Sequence, residues 1–430
     1  MKNRGGISPW AWIPTLYFAE GIPYFMVNVI SVIMFKKLGM GNGEIAMYTG
    51  LFYLPWVIKP LWSPFVDIIG TKRRWTVLTQ AMMSIAFAVI ALSVPCSASF
   101  AVPLAVFWLT AFASATHDIA ADGFYMLALD SNAQSLFVGI RSTFYRLSSI
   151  FGQGVLVVIA GILETKLGNI PAAWSVTMIL CSVMFGCIAL YHSFALPRPV
   201  SDKGHAGVSD AGAVLREFGR TFVTFFKKPG VWGAILFMLL YRLPEAFLVK
   251  MLNPFLLDPA ESGGLGLATE TVGIVYGTVG VAALTIGGIL GGLAAARYGL
   301  KKMMWPMALS IALPCSAFVY LSVFLPQNLW VVNACVALDQ FGYGFGFTAY
   351  MLCMIYFSDG EYKTAHYSLC TAFMAMSMML PGMVAGYLQE WLGYRNFFVM
   401  VIMCCAATLG SVLLVRVDPE FGIKRGQEND

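Results

Sequence analysis

Long apolar runs follow one another along almost the whole chain, and short polar stretches separate them. A helix that spans a bilayer needs about 20 consecutive, mostly apolar residues. Twelve runs reach that length, six on each side of a longer polar stretch. The pattern predicts an all-α integral membrane protein with twelve transmembrane helices in two six-helix bundles. The predicted spans 1 to 12 lie near residues 10–35, 45–68, 75–94, 103–128, 139–164, 171–195, 231–257, 270–296, 303–325, 329–356, 363–388 and 394–416.

The polar stretch between spans 6 and 7 divides the chain. Its apolar residues Leu215, Phe218, Phe222 and Phe225 have the spacing of an amphipathic helix. Such a helix lies on the inner membrane surface and tethers the two bundles, with partner binding as the alternative. The predicted segments are an N-terminal bundle at 1–196, a cytoplasmic linker at 197–230, a C-terminal bundle at 231–417 and a cytoplasmic tail at 418–430.

The composition excludes a soluble protein. Hydrophobic residues make up 59% of the chain and charged residues 11%, whereas soluble domains carry about 25% charged residues. The net charge of +5 does not indicate a nucleic-acid partner, because the basic residues fall in short clusters between apolar runs. The nine cysteines lack the paired spacing of metal ligands and are interpreted as small buried side chains. No metal site, cofactor or catalytic residue is predicted.

The positions of Lys and Arg predict the orientation in the membrane. With the N-terminus inside, eighteen of these residues lie on the inner side and four on the outer side. Cytoplasmic loops carry the excess of Lys and Arg. Both termini and the linker are therefore predicted to be cytoplasmic.

The two halves of the chain repeat. Residues 160–168 align with residues 385–393 at an offset of 225, and five of the nine positions are identical. The same offset places Glu20 of span 1 on Glu245 of span 7. Transporters built from repeats bind substrate where their helices are interrupted near the midplane. A transport role is therefore predicted for both glutamates.

Each glutamate lies beside a proline. Glu20 shares a helix face with Tyr24 and Asn28, and Pro23 loosens that helix. In span 7 the corresponding stretch is Y-R-L-P-E-A-F, from Tyr241 to Phe247. An alternative role for Glu245 is a structural bond with the arginine of that stretch, Arg242.

Span 4 carries two acids, and span 5 carries two bases at the matching depth. Asp118 and Asp122 are four residues apart and share one helix face. One hypothesis pairs them structurally with Arg141 and Arg146. The other lets one aspartate exchange a proton, because burial disfavours a charged carboxylate while a nearby arginine favours it. His117 points away from this face and is interpreted as a satisfied polar group.

Two further spans carry charged residues. Asp339 and Tyr343 share a face of span 10, and either a cavity-lining or a structural role is possible. The glycines within 342–346 suit close helix packing. Lys59, between two tryptophans of span 2, is predicted to balance an acid across the cavity.

The loop between spans 2 and 3 reads D-I-I-G-T-K-R-R over residues 67–74. It is similar to the signature G-x-x-x-D-x-x-G-R-K/R, with Ser63 and Thr71 as departures. With twelve spans in two halves, the chain thus resembles the major facilitator superfamily (the MFS fold). The resemblance implies two bundles that rock around a central site. It also implies a conformational gate at Asp67, Gly70, Lys72 and Arg73.

Four stretches resemble the AmpG-type muropeptide permeases and, more distantly, the acetyl-CoA transporters. They are F-A-E-G-I-P at 18–23, K-P-L-W-S-P-F-V-D at 59–67, H-D-I-A-A-D at 117–122 and L-Y-R-L-P-E-A-F at 240–247. The resemblance implies proton-driven uptake of GlcNAc–anhydroMurNAc, with or without peptide. A lactyl carboxylate then suits an arginine or lysine, and sugar faces suit tyrosine rings. The residues to which it assigns roles are Lys59, Asp118, Asp122, Arg242 and Glu245.

The prediction is therefore a monomeric, proton-coupled importer of muropeptides or MurNAc-type sugars in a bacterial inner membrane, working by alternating access. The alternatives are transport of another anionic solute, such as a sugar acid or a CoA ester, and a membrane sensor that does not transport. The predicted proton-coupling residues are Glu20, Asp118, Asp122 and Glu245. The predicted substrate-binding residues are Tyr17, Tyr24, Asn28, Lys59, Arg141, Tyr145, Arg146, Tyr241, Arg242, Asp339 and Tyr343.

Overall fold

The computed structural model describes residues 7–96, 100–129, 131–199, 202, 216, 219–359, 363–419 and 421. Most of the predicted amphipathic helix and of the tail at 418–430 lies outside the described residues. In the described part of the linker, residues 219–226 are helical and Phe225 is buried.

The described chain is helical, without β-strands. Three π-helical turns, Met26–Ile30, Ile150–Leu156 and Gly273–Gly280, widen otherwise regular helices. The α-helices are α1 Pro9–Phe25, α2 Ser31–Lys37, α3 Asn42–Leu51, α4 Leu54–Ile68, α5 Lys72–Cys96, α6 Ala101–Ala128, α7 Ser131–Ser149, α8 Val157–Leu167, α9 Ile170–Ala195, α10 Val231–Leu240, α11 Leu243–Leu257, α12 Thr269–Val272, α13 Val281–Tyr298, α14 Leu300–Ala312, α15 Cys315–Phe324, α16 Leu329–Ser358 and α17 Lys363–Val412.

The predicted apolar runs coincide with these helices, and the all-helical membrane fold is confirmed. Eight helical segments of the described chain are long and apolar enough to cross a membrane. One of them, His366–Val412, covers two predicted spans. Gly393, with φ 73° and ψ 162°, interrupts α17 between these two spans. The number of twelve crossings stays a prediction.

Spans 1 and 7 are both irregular near the prolines from which an irregularity was predicted. Span 7 is divided between α10 and α11, and Pro244 stands in the first turn of α11. Proline is favoured there because the first turn of a helix leaves its backbone N–H groups unbonded. Span 1 instead continues through Pro23 and widens immediately afterwards into the turn Met26–Ile30. Both predicted irregularities therefore exist, although their geometry differs.

The chain forms two compact units. Unit 1 contains residues 1–39 and 58–219, and unit 2 contains residues 40–57 and 220–430. In unit 1, α5 packs along α6 and α9, and a hydrophobic core that includes Trp12 joins α1 to α6 and α7. In unit 2, α13 and α14 pack along α16, while α3 and α11 pack along α17. The outer part of predicted span 2 thus packs with the second half of the chain.

Helix α3 is attached to α17 by close packing and by hydrogen bonds. A Cβ atom on Gly386 would lie 1.9 Å from the carbonyl oxygen of Asn42, so only glycine allows this approach. The amide of Asn42 donates to Gln389 Oε1 at 2.7 Å and to Tyr394 Oη at 3.0 Å. Tyr394 in turn donates to Asp258 Oδ2 at 2.6 Å. Helix α3, helix α17 and the end of α11 thus meet at one polar junction.

The glycines of span 10 have the packing role that their spacing predicts. A Cβ atom on Gly344 would lie 2.1 Å from the carbonyl oxygen of Leu284. A Cβ atom on Gly342 would lie 2.0 Å from that of Ser310. Helix α16 therefore contacts α13 and α14 backbone to backbone, as small residues permit in membranes.

We expect Gly344→Ala to lower the free energy of unfolding by roughly 1–3 kcal/mol, because the methyl group overpacks this contact. Thermal unfolding of the detergent-solubilised protein measures the change. Gly292→Ala is the matched control, since no atom lies within 4 Å of a Cβ built at that helical glycine. Equal midpoints for the two variants would contradict the packing role of Gly344.

Candidate functional site

Five of the charged residues within the predicted spans of unit 1 are here called the N-terminal charge cluster. Two ion pairs account for four of them. Each pair joins α6 to a neighbouring helix, α4 or α7. The members of the cluster are Glu20, Lys59, Asp118, Asp122 and Arg141.

The pair between Asp122 and Arg141 is the closer of the two. Their Oδ1 and Nη2 atoms are 2.6 Å apart. The guanidinium of Arg141 lies 4.4 Å from the ring centroid of Tyr17 and 5.4 Å from that of Tyr125. Tyr17 also donates to Asp122 Oδ1 at 3.3 Å. Tyr17 is fully buried and contacts both members of the pair, the carboxylate through its hydroxyl and the guanidinium through its ring.

Asp118 forms an ion pair with a residue from a different helix. Its Oδ2 lies 3.6 Å from Nζ of Lys59 in α4. The prediction that span 5 pairs with span 4 is therefore correct for Asp122, whereas Asp118 pairs with span 2. This contact agrees with the prediction that Lys59 balances an acid. Arg146 is exposed.

Glu20 is the third acid of the cluster. Its side chain is buried, and Oε2 has no hydrogen-bond partner among the described residues. It lies within electrostatic range of two acids, Asp118 and Asp122, and of two bases, Arg141 and Lys59. Burying an ionised carboxylate without a partner costs several kcal/mol. The oxygen without a partner makes Glu20 a candidate for binding a proton or a solute.

Further polar residues lie along α1, the π-helical turn that follows it, and α7. Asn28 is buried, donates to the carbonyl oxygen of Tyr24 at 3.0 Å, and leaves Oδ1 without a partner among the described residues. Tyr24 and Tyr145 are half-buried. A Cβ atom on Gly21 would lie 1.9 Å from Ser148 Oγ, so glycine permits close packing of α1 on α7. These side chains remain candidates for contact with a solute.

Unit 2 contains a second group of candidates, here called the C-terminal cluster: Arg242, Glu245, Asp339 and Tyr343. The guanidinium of Arg242 lies 5.3, 4.8 and 5.8 Å from the ring centroids of Tyr343, Phe347 and Tyr350. Arg242 also donates to the hydroxyl of Tyr343. Three aromatic side chains therefore hold this buried cation.

The two acids of the C-terminal cluster are almost completely buried. Asp339 Oδ2 accepts from Gln340 Nε2 at 3.0 Å. The ring of Tyr241 is fully buried, and its hydroxyl donates to the carbonyl oxygen of Gly346 at 3.0 Å. Its contact with substrate stays a prediction.

Lys250 is a candidate that the sequence-based site prediction left out. Its side chain is buried, and Nζ donates to Thr49 Oγ1 at 3.1 Å. Nζ also lies 5.1 Å from the ring centroid of Tyr53. An intramembrane lysine is unusual enough to mark functional importance. The position of Lys250 within span 7 was the available signal, but its contacts with Thr49 in α3 and with Tyr53 just after α3 were not foreseeable.

The predicted gate loop is anchored within unit 1. Gly70 has φ 78°, which favours glycine. The backbone N–H groups of Lys72 and Arg73 donate to the carboxylate of Asp202 at 2.8 and 3.0 Å. Arg73 also donates to the carbonyl oxygen of Leu196 at 3.1 Å. The side chain of Asp67 lies outside the described residues.

Comparison with known proteins gives a family match over most of the chain. A model described as Major Facilitator Superfamily matches residues 15–365. An anhydromuropeptide permease of Escherichia coli (strain K12) is 24% identical over 415 residues, covering 93% of this chain and 78% of the permease. A putative transporter AmpG 2 of Rickettsia typhi is 23% identical, covering 91% and 92% of the two chains.

Solved structures show the same fold. A nucleoside transporter, NupG, aligns with a TM-score of 0.68 and 14% identity, covering 94% of this chain and 98% of its own. A bacterial homolog of the human lysosomal transporter Spinster aligns with a TM-score of 0.66 and 14% identity, covering 94% and 93%. At these identities the similarity is one of fold alone.

Proposed function

The chain belongs to the Major Facilitator Superfamily, and we propose that it imports peptidoglycan-derived amino sugars together with protons. It is a multi-pass membrane transporter and not an enzyme. The proposed substrates are GlcNAc–anhydroMurNAc muropeptides or MurNAc-type sugars. Relatives named anhydromuropeptide permease and AmpG support this substrate class.

The charge balance of the N-terminal charge cluster carries the proposal of proton coupling. The cluster holds three acids but two bases, and the two ion pairs leave Glu20 as the additional acid. Uptake of one proton would make this partly buried cluster electrically neutral. Because a net charge is costly inside a membrane protein, protonation can be tied to the conformational cycle.

The surroundings of Arg242 support recognition of an anionic sugar. A guanidinium can bind a carboxylate through two parallel hydrogen bonds. Aromatic rings beside it offer flat surfaces for the CH faces of a sugar while their hydroxyls bond to its polar groups. The same chemistry would serve another sugar acid, which is the second candidate substrate.

The proposed transport cycle is alternating access in the inner membrane of a bacterium, with both termini in the cytoplasm. The excess of Lys and Arg in the predicted cytoplasmic segments supports this orientation.

Uptake into proteoliposomes tests the proposal. We expect labelled MurNAc or GlcNAc–anhydroMurNAc to accumulate only when an inward proton gradient is imposed, and an uncoupler to abolish accumulation. Liposomes without protein provide the control. Binding without accumulation would favour a sensor, whereas gradient-driven uptake of other anions alone would redirect the proposal to another sugar acid or a CoA ester.

A further inference from the structure

A line of buried polar side chains crosses unit 1 beside the N-terminal charge cluster. His117 Nε2 lies 2.9 Å from Gln80 Nε2, and Gln80 Oε1 lies 2.9 Å from His192 Nδ1. His192 Nε2 lies 2.9 Å from Thr15 Oγ1, which lies 3.2 Å from the carbonyl oxygen of Trp12. The line joins α6, α5, α9 and α1. Gln80 and both histidines are almost completely buried.

With the Gln80 amide oriented in this way, the hydrogens do not all find acceptors. The amide donates to His117 Nε2, so a neutral His117 carries its proton on Nδ1, which has no partner among the described residues. His192 then uses Nδ1–H for Gln80 and needs the single hydroxyl hydrogen of Thr15 at Nε2. That hydrogen is no longer available for the carbonyl of Trp12.

Turning the amide by 180° removes both conflicts, and the oxygen and nitrogen of an amide are assigned by their hydrogen bonds rather than by shape. His117 Nε2–H then donates to Gln80, and Gln80 donates to His192 Nδ1. His192 Nε2–H donates to Thr15, which donates to the carbonyl of Trp12. Each of the four hydrogen bonds along the line then has one donor and one acceptor, both histidines are neutral, and both carry the proton on Nε2.

We propose that Gln80, His117 and His192 are positioning residues, which hold α6 so that Asp118 and Asp122 face their cations. His117 immediately precedes Asp118, so a rotation of α6 that broke the bond to Gln80 would also move the carboxylate away from Lys59. Because a glutamine side chain has no ionisable proton to pass on, the line orients the helix and does not conduct protons. Its effect on transport rests on the proposed function.

The tautomers give a test that does not depend on transport. Nitrogen-15 NMR of histidine-labelled protein at neutral pH should show His117 and His192 neutral, with a protonated Nε2 and a bare Nδ1. Substitution of each histidine by asparagine assigns its signals among the four histidines of the chain. A proton on Nδ1 of His117, or a charged imidazolium at either position, would contradict this arrangement of hydrogen bonds.

The positioning effect is tested with Gln80→Met, which keeps the side-chain length and removes both hydrogen bonds. Carbon-13 NMR of labelled aspartate should show a shifted titration midpoint for Asp118, assigned with Asp118→Asn. Lys59 from α4, Glu20 from α1 and Tyr145 from α7 act on that carboxyl, and the variant leaves all three unchanged. Gln153→Met is the matched control, because buried Gln153 donates to Ser149 Oγ within its own helical segment. An unmoved midpoint in Gln80→Met would overturn the positioning role.

Uptake provides the second readout. Gradient-driven uptake per folded protein should fall about tenfold or more in Gln80→Met, as displacement of a reacting group does in other active sites. Gln80→Glu should restore part of it, because a carboxylate accepts from both histidines, and His192 should switch its proton to Nδ1. A lower yield with unchanged uptake per folded protein would mean a purely structural role. If wild-type protein does not transport, the proposed function fails, while both NMR measurements still decide this inference.

Discussion

Asp122→Asn is expected to abolish uptake driven by a proton gradient while leaving ligand binding partly intact. The substitution removes the charge that balances Arg141, so the cluster can no longer reach neutrality by gaining one proton. The side chains of Asp122 and Arg141 retain 39% and 30% of their solvent exposure. Ion pairs as accessible as this contribute about 0–1 kcal/mol to stability, and the rings of Tyr17 and Tyr125 still hold the arginine.

The measurement compares uptake with and without the gradient, alongside ligand binding and thermal unfolding of the same preparation. Glu164→Gln is the matched control, because it removes an ion pair of 3.3 Å with Lys37 outside the cluster. Asp118→Asn should show the same loss of coupling with a larger loss of stability, since Asp118 and Lys59 are more buried, at 18% and 23% exposure. Unfolding of Asp122→Asn would instead favour the hypothesis of a purely structural ion pair.

Arg242→Met should weaken binding of an anionic amino sugar by at least about thirtyfold, because truncating one partner of a buried charge pair costs about 2–5 kcal/mol. Arg242→Lys should recover little of the loss, since an ammonium group neither stacks on the rings of Tyr343 and Phe347 nor forms two parallel bonds with a carboxylate. Binding is measured by calorimetry or by displacement of labelled MurNAc.

The ligand pair MurNAc and GlcNAc separates charge recognition from sugar recognition, because only MurNAc carries the lactyl carboxylate. Weaker binding confined to MurNAc would assign the anion to Arg242. Arg297→Lys provides the control, since Arg297 is an exposed cation whose guanidinium lies against Tyr298 at the end of α13. An equal loss for both sugars would mean that Arg242 maintains the aromatic packing and does not recognise the charge.

Features that depend on local sequence were predictable. Apolar run length predicted the helices, and Pro23 and Pro244 predicted the irregularities of spans 1 and 7. Helical spacing also brought Asp118 and Asp122 to one face of α6, where both form ion pairs.

Features that depend on which helices become neighbours were not predictable. The sequence contains no signal that Lys59 rather than an arginine of span 5 meets Asp118. It likewise does not show that Gln80 joins two histidines, because the three residues lie in different spans. Side-chain spacing along one helix determines a face, whereas tertiary packing determines what that face meets.

The attachment of α3 to α17 also has a consequence for biosynthesis. Asn42 precedes Gln389, its hydrogen-bond partner, by 347 residues. At a translation rate of about 5–20 residues per second, Gln389 is made on the order of 20–70 seconds after Asn42. During that interval α3 cannot form its contacts with α17, even if the first six spans have already folded. The early-made α3 is therefore among the last helices to complete its contacts, and a ribosome that stalls before α17 leaves the polar side chain of Asn42 without its partner Gln389.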